Sequence, residues 1–173
     1  MKEEITLYKL TDANDQTYGG CQWGENVTVE TSGEGPLCGP GWTHWYLHPL
    51  VAVFLNPIHA NYDLTTAHVW VGRGVPEISD YGLKVGCKRA TTTRRIPLPK
   101  VTVPQIVAFG ILAALTVCSE PIFVSWAEDW LSGKDRTRKA ARAAAEAARA
   151  AAETAREKPL DLIALARKAM TFQ

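Results

Sequence analysis

The feature that most constrains the fold is a change in residue pattern near residue 100. Before it, short segments such as residues 5–10 and 26–31 alternate apolar and polar side chains and are separated by glycines and prolines. Alternation with a period of two is typical of half-buried β-strands. After Pro99 the apolar residues follow helical spacing. The sequence therefore predicts an α+β protein, with a β-rich ligand-binding domain over residues 1–100 and a helical region over residues 101–173.

The β-rich part contains two further strand candidates and a short inserted helix. Residues 66–71 and 82–87 have strand-like composition between Gly and Pro breakers. Pro49 can open a helix that runs through residue 55. We expect that helix to end at Asn56-Pro57, because a residue that precedes proline avoids the α region.

The helical region is expected to form a bundle or a hairpin. Thr102 can cap its first helix, with Pro104 in the first turn, and the apolar residues all round that helix indicate a central position. Ser119 is the expected cap of the second helix. The predicted segments are a core helix over residues 102–118, a helix over 119–132, a helix rich in Ala, Arg and Glu over 134–158, and an amphipathic helix over 160–171.

The alanine-rich segment is the clearest helix prediction in the chain, because alanine has the highest helix propensity. Its charged residues are spaced four and three apart, so opposite charges meet along one stripe, and each pair contributes about 0.2–0.5 kcal/mol. They are Arg142, Glu146, Arg149, Glu153 and Arg156. Two interpretations remain open for this helix: it mediates homo-oligomerisation, or it lies on the surface of its own domain.

Composition limits the cellular setting and the partners. The net charge is +1, which does not favour nucleic acid, and we expect no sequence-specific nucleic-acid partner. The charged N-terminus lacks the apolar stretch of a secretory signal, and the four cysteines form no CxxC pair. A cytoplasmic protein with free thiols is therefore expected. The uncharged run over residues 101–119 is interrupted by Pro104 and Gly110, so it is expected to be a core helix rather than a membrane span.

Residues 39–62 are the part of the chain richest in side chains that commonly contact ligands. They hold three of the four histidines, two of the six tryptophans and two of the five tyrosines. A segment from residue 84 to residue 100 adds six basic residues and no acidic one. Stacking faces, polar edges and phosphate-compatible charge together predict a ligand site. The candidate ligand-binding residues are Tyr8, Trp42, His44, Trp45, Tyr46, His48, Asn56, His59, Asn61, Lys88, Arg89, Arg94 and Arg95.

Residues in and next to this segment also have the chemistry of two other kinds of site, a zinc site and a nucleophile with its base. Cys38, His44 and His48 are zinc-compatible ligands, but on an extended chain the two histidines stand about 13 Å apart, so no metal site is predicted. Cys38 near His44 would suit a nucleophile and a base, but no carboxylate accompanies them at a known spacing. The alternative to a ligand site is that the tryptophans form a small core beneath the loops while the basic residues are solvated.

Three groups of residues resemble an uncharacterised family of small phage-encoded proteins. The resemblance rests on a Tyr-Lys strand at residues 7–10, a Gly-x-x-His segment after a cysteine at residues 41–44, and a Lys-Val-Gly strand at residues 82–86. It covers about the first 105 residues. It implies a viral protein that acts in the host cytoplasm, and it supplies no activity that can be transferred.

A more remote similarity is to the ADP-ribosyltransferase fold. Residues 7–11, and residues 41–46 followed by 50–52, are similar in order to the segments that hold NAD in that fold. Lys9 stands where that family has histidine, and no catalytic glutamate is identifiable. The similarity implies binding of NAD or an ADP-ribose derivative as a ligand, rather than as a resident cofactor.

Three functional hypotheses follow from the sequence. The first is a phage-type protein that binds a nucleotide-derived small molecule without catalysis and so sequesters a host defence signal. The second is an NAD-using enzyme of the ADP-ribosyltransferase or NAD glycohydrolase type, with Tyr8, His44 and Tyr46 holding the cofactor. The third is a protein–protein inhibitor that docks on a host factor through the alanine-rich helix and exposed tryptophans.

Overall fold

The computed structural model describes residues 3–137 and 160–173. The protein is α+β, as predicted, with strands in its N-terminal part and helices in its C-terminal part. It divides into two compact units, residues 1–100 and 101–173. Of the predicted alanine-rich helix, residues 138–158 lie outside the described residues. That helix and its role in oligomerisation therefore stay predictions.

The described part of the first unit contains three antiparallel sheets. The largest has four strands in the order β1-β6-β9-β4, the next has three in the order β5-β8-β7, and β2 and β3 form a hairpin. The strands are β1 (Ile5–Thr11), β2 (Gln16–Thr17), β3 (Cys21–Gln22), β4 (Thr28–Glu30), β5 (Thr43–Trp45), β6 (His68–Gly74), β7 (Ile78–Ser79), β8 (Val85–Cys87) and β9 (Arg89–Ile96).

Strand β9 lies where the sequence indicated only a basic segment. It pairs with β6 on one side and with β4 on the other, so it is a central strand. Its inward positions Ala90 and Thr92 are buried, whereas Arg89, Arg94 and Arg95 point outward. The run of β-branched threonines suits a pleated surface, and the charged residues obscured that signal.

The inserted helix is present and is followed at once by a second one. Helix α1 (Pro49–Phe54) begins at the predicted proline. As predicted, this helix does not continue through Asn56-Pro57: it ends at Phe54, with Leu55 as its C-cap. The sequence analysis did not predict the short helix α2 (Asn56–His59) that follows. Pro57 lies in the first turn of α2, where its missing N–H costs nothing.

The core of the first unit forms where the two larger sheets meet. A two-residue bridge joins them: the backbone N–H groups of Tyr8 and Tyr46 each donate to the other residue's carbonyl at 2.9 Å. The indole of Trp45 is completely buried between the sheets. It fits only because Gly72 has no side chain; a Cβ there would lie 2.6 Å from the ring.

The second unit is built from three described helices. They are α3 (Val103–Leu115), α4 (Pro121–Leu131) and α5 (Leu162–Ala169). Thr102 forms a complete capping box with Gln105, as the sequence indicated for the start of α3. The predicted cap of α4 is wrong, since Glu120 and not Ser119 occupies that position. Among the described residues, no helix is long and apolar enough to cross a bilayer.

Helix α3 is not buried all round, contrary to the prediction from its composition. Phe109, Ile111 and Leu112 are buried, but the Val103 side chain is 73% exposed. The uniformly apolar sequence therefore could not indicate which face of the helix packs, since a one-sided pattern is what marks the packed face.

A half-buried carboxylate ties the β1–β2 turn to the large sheet. Asp15 Oδ1 accepts hydrogen bonds from His68 Nδ1 and Trp70 Nε1, both at 2.8 Å, and its Oδ2 pairs with Arg95. Burial opposes ionisation, but the hydrogen bonds from Trp70, His68 and Arg95 outweigh it and hold the pKa of Asp15 below its usual value. A carboxylate with a depressed folded-state pKa stabilises the fold above its unfolded-state pKa.

We predict that Asp15→Asn lowers the free energy of unfolding by about 2 kcal/mol at neutral pH, because it removes the charge that three donors share. The deficit should shrink as the pH falls through the folded-state pKa of Asp15, where the wild-type carboxylate is also neutral. Urea denaturation at several pH values measures this. The exposed Glu25→Gln is the control, and a deficit independent of pH would contradict the assignment.

Candidate functional site

The first unit contains a cavity of about 680 Å³. Its wall is formed by β1, the short 3-10 turn Tyr18–Gly20, the loop that precedes β5, β5 itself and the segment that follows α2. Cavities of roughly 300–1,000 Å³ are typical of small-molecule sites. The cavity therefore lies where residues 39–62, the segment rich in histidine and aromatic residues, meet β1.

The described lining of the cavity is basic. Two lysines, Lys9 and Lys84, and two histidines, His44 and His59, contribute to it, whereas no Asp or Glu among the described residues does. A cavity lined by one sign of charge focuses the electrostatic potential and favours a ligand of the opposite sign. The cavity is thus suited to an anion.

Aromatic side chains supply much of the remaining wall. Trp42 is held in orientation by a hydrogen bond of 2.9 Å from its Nε1 to the Gly35 carbonyl, and Tyr62 lies near the end of α2. Tyr18 is fully exposed at the edge of the cavity. It precedes Gly19 and Gly20, which both have φ of 73°, a backbone conformation that glycine adopts without strain.

Lys9 is the most unusual residue of the cavity, because its side chain is buried and yet carries an amine. Only 5% of the residue is exposed. Its Nζ donates to the His44 carbonyl oxygen and lies 4.3 Å from the ring centroid of Trp23 and 4.5 Å from that of Trp45. Among the described residues, no ion pair includes Lys9. The ammonium form therefore meets two ring faces and a carbonyl dipole rather than a carboxylate of a described ion pair.

Burial has a direct effect on the ionisation of this amine. Desolvation lowers the pKa of Lys9 from 10.5 to about 7, against the smaller opposing effects of Cys21 and Cys87. An ammonium group loses more hydration free energy on burial than a neutral amine does, so burial favours the neutral form. Lys9 therefore exchanges its proton near neutral pH.

His44 is fixed beside Lys9 by a contact with the backbone. Its Nε2 bonds the carbonyl oxygen of Leu37, which can only accept, so Nε2 carries the proton. Burial lowers the pKa of His44, the Leu37 carbonyl opposes this, and the charges of Lys9 and Lys84 lower it further. His44 is therefore a neutral ring at physiological pH.

Tyr46 and His59 form a second pair in the lining. The Tyr46 hydroxyl and His59 Nδ1 share a hydrogen bond of 2.9 Å, and their rings stack with centroids 5.8 Å apart. Burial, and secondarily Tyr62, raises the pKa of the Tyr46 hydroxyl. Burial and the charge of Lys84 lower the pKa of His59. Both groups are neutral at physiological pH, so the charge of the cavity comes from its lysines.

Lys84 is half-buried and has a sulfur as its neighbour. Its Nζ donates to Cys38 Sγ at 3.3 Å, which is a weak contact for an ammonium group. Both side chains line the cavity. Across the described residues, no group of three His, Cys, Asp or Glu side chains comes together as a metal site.

The cavity unites four of the residues that the sequence singled out: Trp42, His44, Tyr46 and His59. Trp45 is instead part of the core; it is 0% exposed, and its Nε1 donates to Thr43 Oγ1 at 2.9 Å. The alternative of a tryptophan core therefore holds for Trp45, whereas Trp42 lines the cavity.

Four other candidates lie outside the lining and have structural contacts. His48 is the N-cap of α1, where its Nδ1 accepts from the Leu50 N–H. The buried side chain of Asn56 bonds both backbone groups of Tyr62 at 2.9 Å and so positions that ring. Tyr8 lies on the face of β1 opposite Lys9, 6.4 Å from the His48 ring. Asn61 is exposed, with φ of 54°.

The basic segment does not supply the charge of this cavity. Lys88, Arg89, Arg94 and Arg95 are all exposed, and none of them lines it. Arg89 faces Glu30 at 3.9 Å, and Arg95 is bound to Asp15. All four side chains reach solvent away from the cavity, so the basic segment near residue 84 does not contribute its arginines to the lining.

Neither lysine of the cavity was among the ligand-binding residues predicted from the sequence. A signal for Lys9 was present, because in the alternating strand it shares a face with Ile5 and Leu7, which is the face expected to be buried. Lys84 gave no such signal. Its position depends on a turn, in which the Asp80 N–H bonds the Lys84 carbonyl, and turns of this kind are hard to place from sequence.

No family model, curated protein or solved structure matches this chain. The chemistry of the cavity must therefore carry the functional argument by itself.

We predict that Lys9 makes the free energy of unfolding depend on pH between about 7 and 10.5. Since its folded-state pKa is about 7 and its unfolded-state value is 10.5, the unfolded chain binds more protons between these two values. Stability due to this group therefore rises with pH across that window, and Lys9→Met abolishes the rise. Chemical denaturation of both proteins from pH 7 upward measures the difference, with Lys84→Met as control. Parallel curves for wild type and Lys9→Met would refute the assignment.

Proposed function

We propose that the first unit binds a small anionic molecule that carries a planar ring, of the nucleotide-derived class, and binds it without chemical turnover. The observation that carries this proposal is the pairing of two lysines and aromatic walls in one cavity whose lining has no carboxylate. A recurring mode of nucleotide recognition combines cationic side chains at the phosphates with stacking at the base.

The anionic group of the ligand is best placed at the lysines. Lys9 is buried and has no acidic partner among the described ion pairs, so a bound anion would supply the missing opposite charge. An opposite charge raises the pKa of an ammonium group. Binding above pH 7 should therefore be accompanied by proton uptake at Lys9, whose pKa without ligand is about 7.

The planar ring of the ligand is best placed against Trp42, whose indole is fixed by its bond to Gly35. Stacking of a base on an aromatic side chain contributes about 1–3 kcal/mol. Tyr18 is exposed beside the Gly19-Gly20 pair and offers a second face at the edge of the cavity.

Binding without turnover fits the ionisation of the lining. His44 and His59 are held neutral, and no glutamate or aspartate lines the cavity to stabilise a developing positive charge as NAD-cleaving chemistry requires. The sequence resembles a family of phage-encoded proteins. We propose that, in an infected host, this protein binds a host signal molecule and so lowers its free concentration.

We predict that calorimetry against NAD, ADP-ribose, cyclic AMP and cyclic dinucleotides detects binding of at least one of them. Lys84→Met and Trp42→Ala should each weaken that binding about tenfold or more, because each removes a charge-assisted or stacking contact. Arg94→Gln is the matched control, since Arg94 is exposed and outside the lining, and it should leave the affinity unchanged.

The heat of binding should also change with the ionisation enthalpy of the buffer above pH 7, which reports the proton taken up by Lys9. Circular dichroism of each variant verifies that it is folded. Absence of binding across the whole panel, or equal loss of affinity in Arg94→Gln, would overturn the proposal.

A further inference from the structure

We propose that Lys9 forms a reversible imine with a carbonyl group of a bound ligand, so that the cavity accepts anionic aldehydes or ketones with a planar ring. This inference rests on the proposed function, because it uses the same cavity. It places the anionic group of the ligand at Lys84 and the carbonyl group at Lys9, so that no anion beside Lys9 holds that amine protonated. It adds covalent chemistry at one named atom, Lys9 Nζ.

The first support is the surroundings of the amine. Lys9 lines the cavity and is 5% exposed, so its amine is shielded from bulk solvent beside the space that would hold a ligand. Its neighbours are the Trp23 and Trp45 ring faces and the His44 carbonyl oxygen. No carboxylate among the described ion pairs holds it as a permanent ammonium. Lysines activated for carbonyl chemistry are typically desolvated in this way.

The second support is the fraction of reactive amine. Only the neutral amine has the lone pair that attacks a carbonyl carbon. A solvent-exposed lysine is neutral to less than about one part in a thousand at pH 7. With the pKa of Lys9 at about 7, a large fraction of this amine is neutral at the same pH. Lys9 therefore has a kinetic advantage over the lysines outside the cavity.

The reaction needs no oxidant, reductant or metal. The Nζ lone pair attacks the carbonyl carbon, and the carbonyl π electrons move to the oxygen, which becomes the hydroxyl of a carbinolamine by taking a proton from nitrogen. The C–O bond then breaks as the nitrogen lone pair forms C=N. The nitrogen gives up two protons overall, and both leave with the oxygen as one water molecule.

The other side chains of the cavity would orient the ligand for this attack. Lys84 is half-buried and can hold an anionic group, while Trp42 faces the ring. Holding the carbonyl close to the amine converts a bimolecular reaction into an effectively unimolecular one, which is a large rate effect. The surface lysines Lys88 and Lys100 do not line the cavity and lack this advantage.

The test uses pyridoxal 5′-phosphate, which is planar, anionic and an aldehyde, as the probe. The full-length protein is incubated with it at pH 7.5, reduced with borohydride, digested and mapped by mass spectrometry. The expected result is one adduct per chain at Lys9, with at least tenfold lower occupancy at Lys88 and Lys100. Lys84→Met should retain the adduct at Lys9 but require more probe.

Two substitutions of Lys9 test whether the adduct depends on its amine. Lys9→Met should lose the adduct, and Lys9→Arg should lose it while keeping a positive charge, so a folded Lys9→Arg suffices if Lys9→Met is unstable. The rate of adduct formation in the wild type should rise as the pH passes through about 7. Adduct formation spread equally over surface lysines, or an unmodified Lys9, would overturn the imine.

Pyridoxine 5′-phosphate, which has no aldehyde, separates the two proposals. If calorimetry shows that it binds and depends on Lys84 while Lys9 remains unmodified by the aldehyde, the imine is wrong and anion binding stands. If neither compound binds and Lys9 is unmodified, the imine is wrong, and the anion-binding proposal then depends on the nucleotide panel.

Discussion

The packing of the Lys9 amine between two indoles connects the fold of the first unit to its cavity. Trp45 lies at the junction of the two larger sheets and is completely buried, and Trp23 meets it edge-on at 5.2 Å. The side chain of Lys9 reaches these rings because β1 places it on the same face as Leu7. The hydrophobic core therefore also forms part of the site wall, and a change in either tryptophan affects both stability and binding.

Charge is divided between the inside and the outside of the first unit. The arginines of β9 are outside, where Arg95 belongs to the Asp15 network and Arg89 faces Glu30. The cavity instead receives two lysines and no carboxylate. An exposed ion pair contributes little, whereas a charge in a partly enclosed space interacts strongly with a ligand. The two lysines of the cavity therefore contribute more to its electrostatic potential than the exposed basic residues of β9 do.

Much of the local structure could be predicted from the sequence. The alternation in residues 5–10 predicted β1, Pro49 marked the start of α1, and Thr102 with Pro104 marked the start of α3. These signals succeeded because each depends on contacts within a few residues. Prediction failed at β9, whose arginines masked a central strand, and it missed α2, which starts directly after the end of α1. The place of β9 depends on its pairing with β6 and β4, which are distant in sequence.

The sequence by itself determined that this protein is α+β and where its strands and helices concentrate, and it placed three of the four histidines in residues 39–62. Only the tertiary structure decided which of those side chains line the cavity. It placed Trp42, His44, Tyr46 and His59 in one cavity, moved Trp45 into the core, and supplied charge from Lys9 and Lys84 instead of from β9. The physical reason is that the face of a strand on which a residue lies follows from local alternation, whereas the partner of that face depends on pairing between residues far apart in the chain.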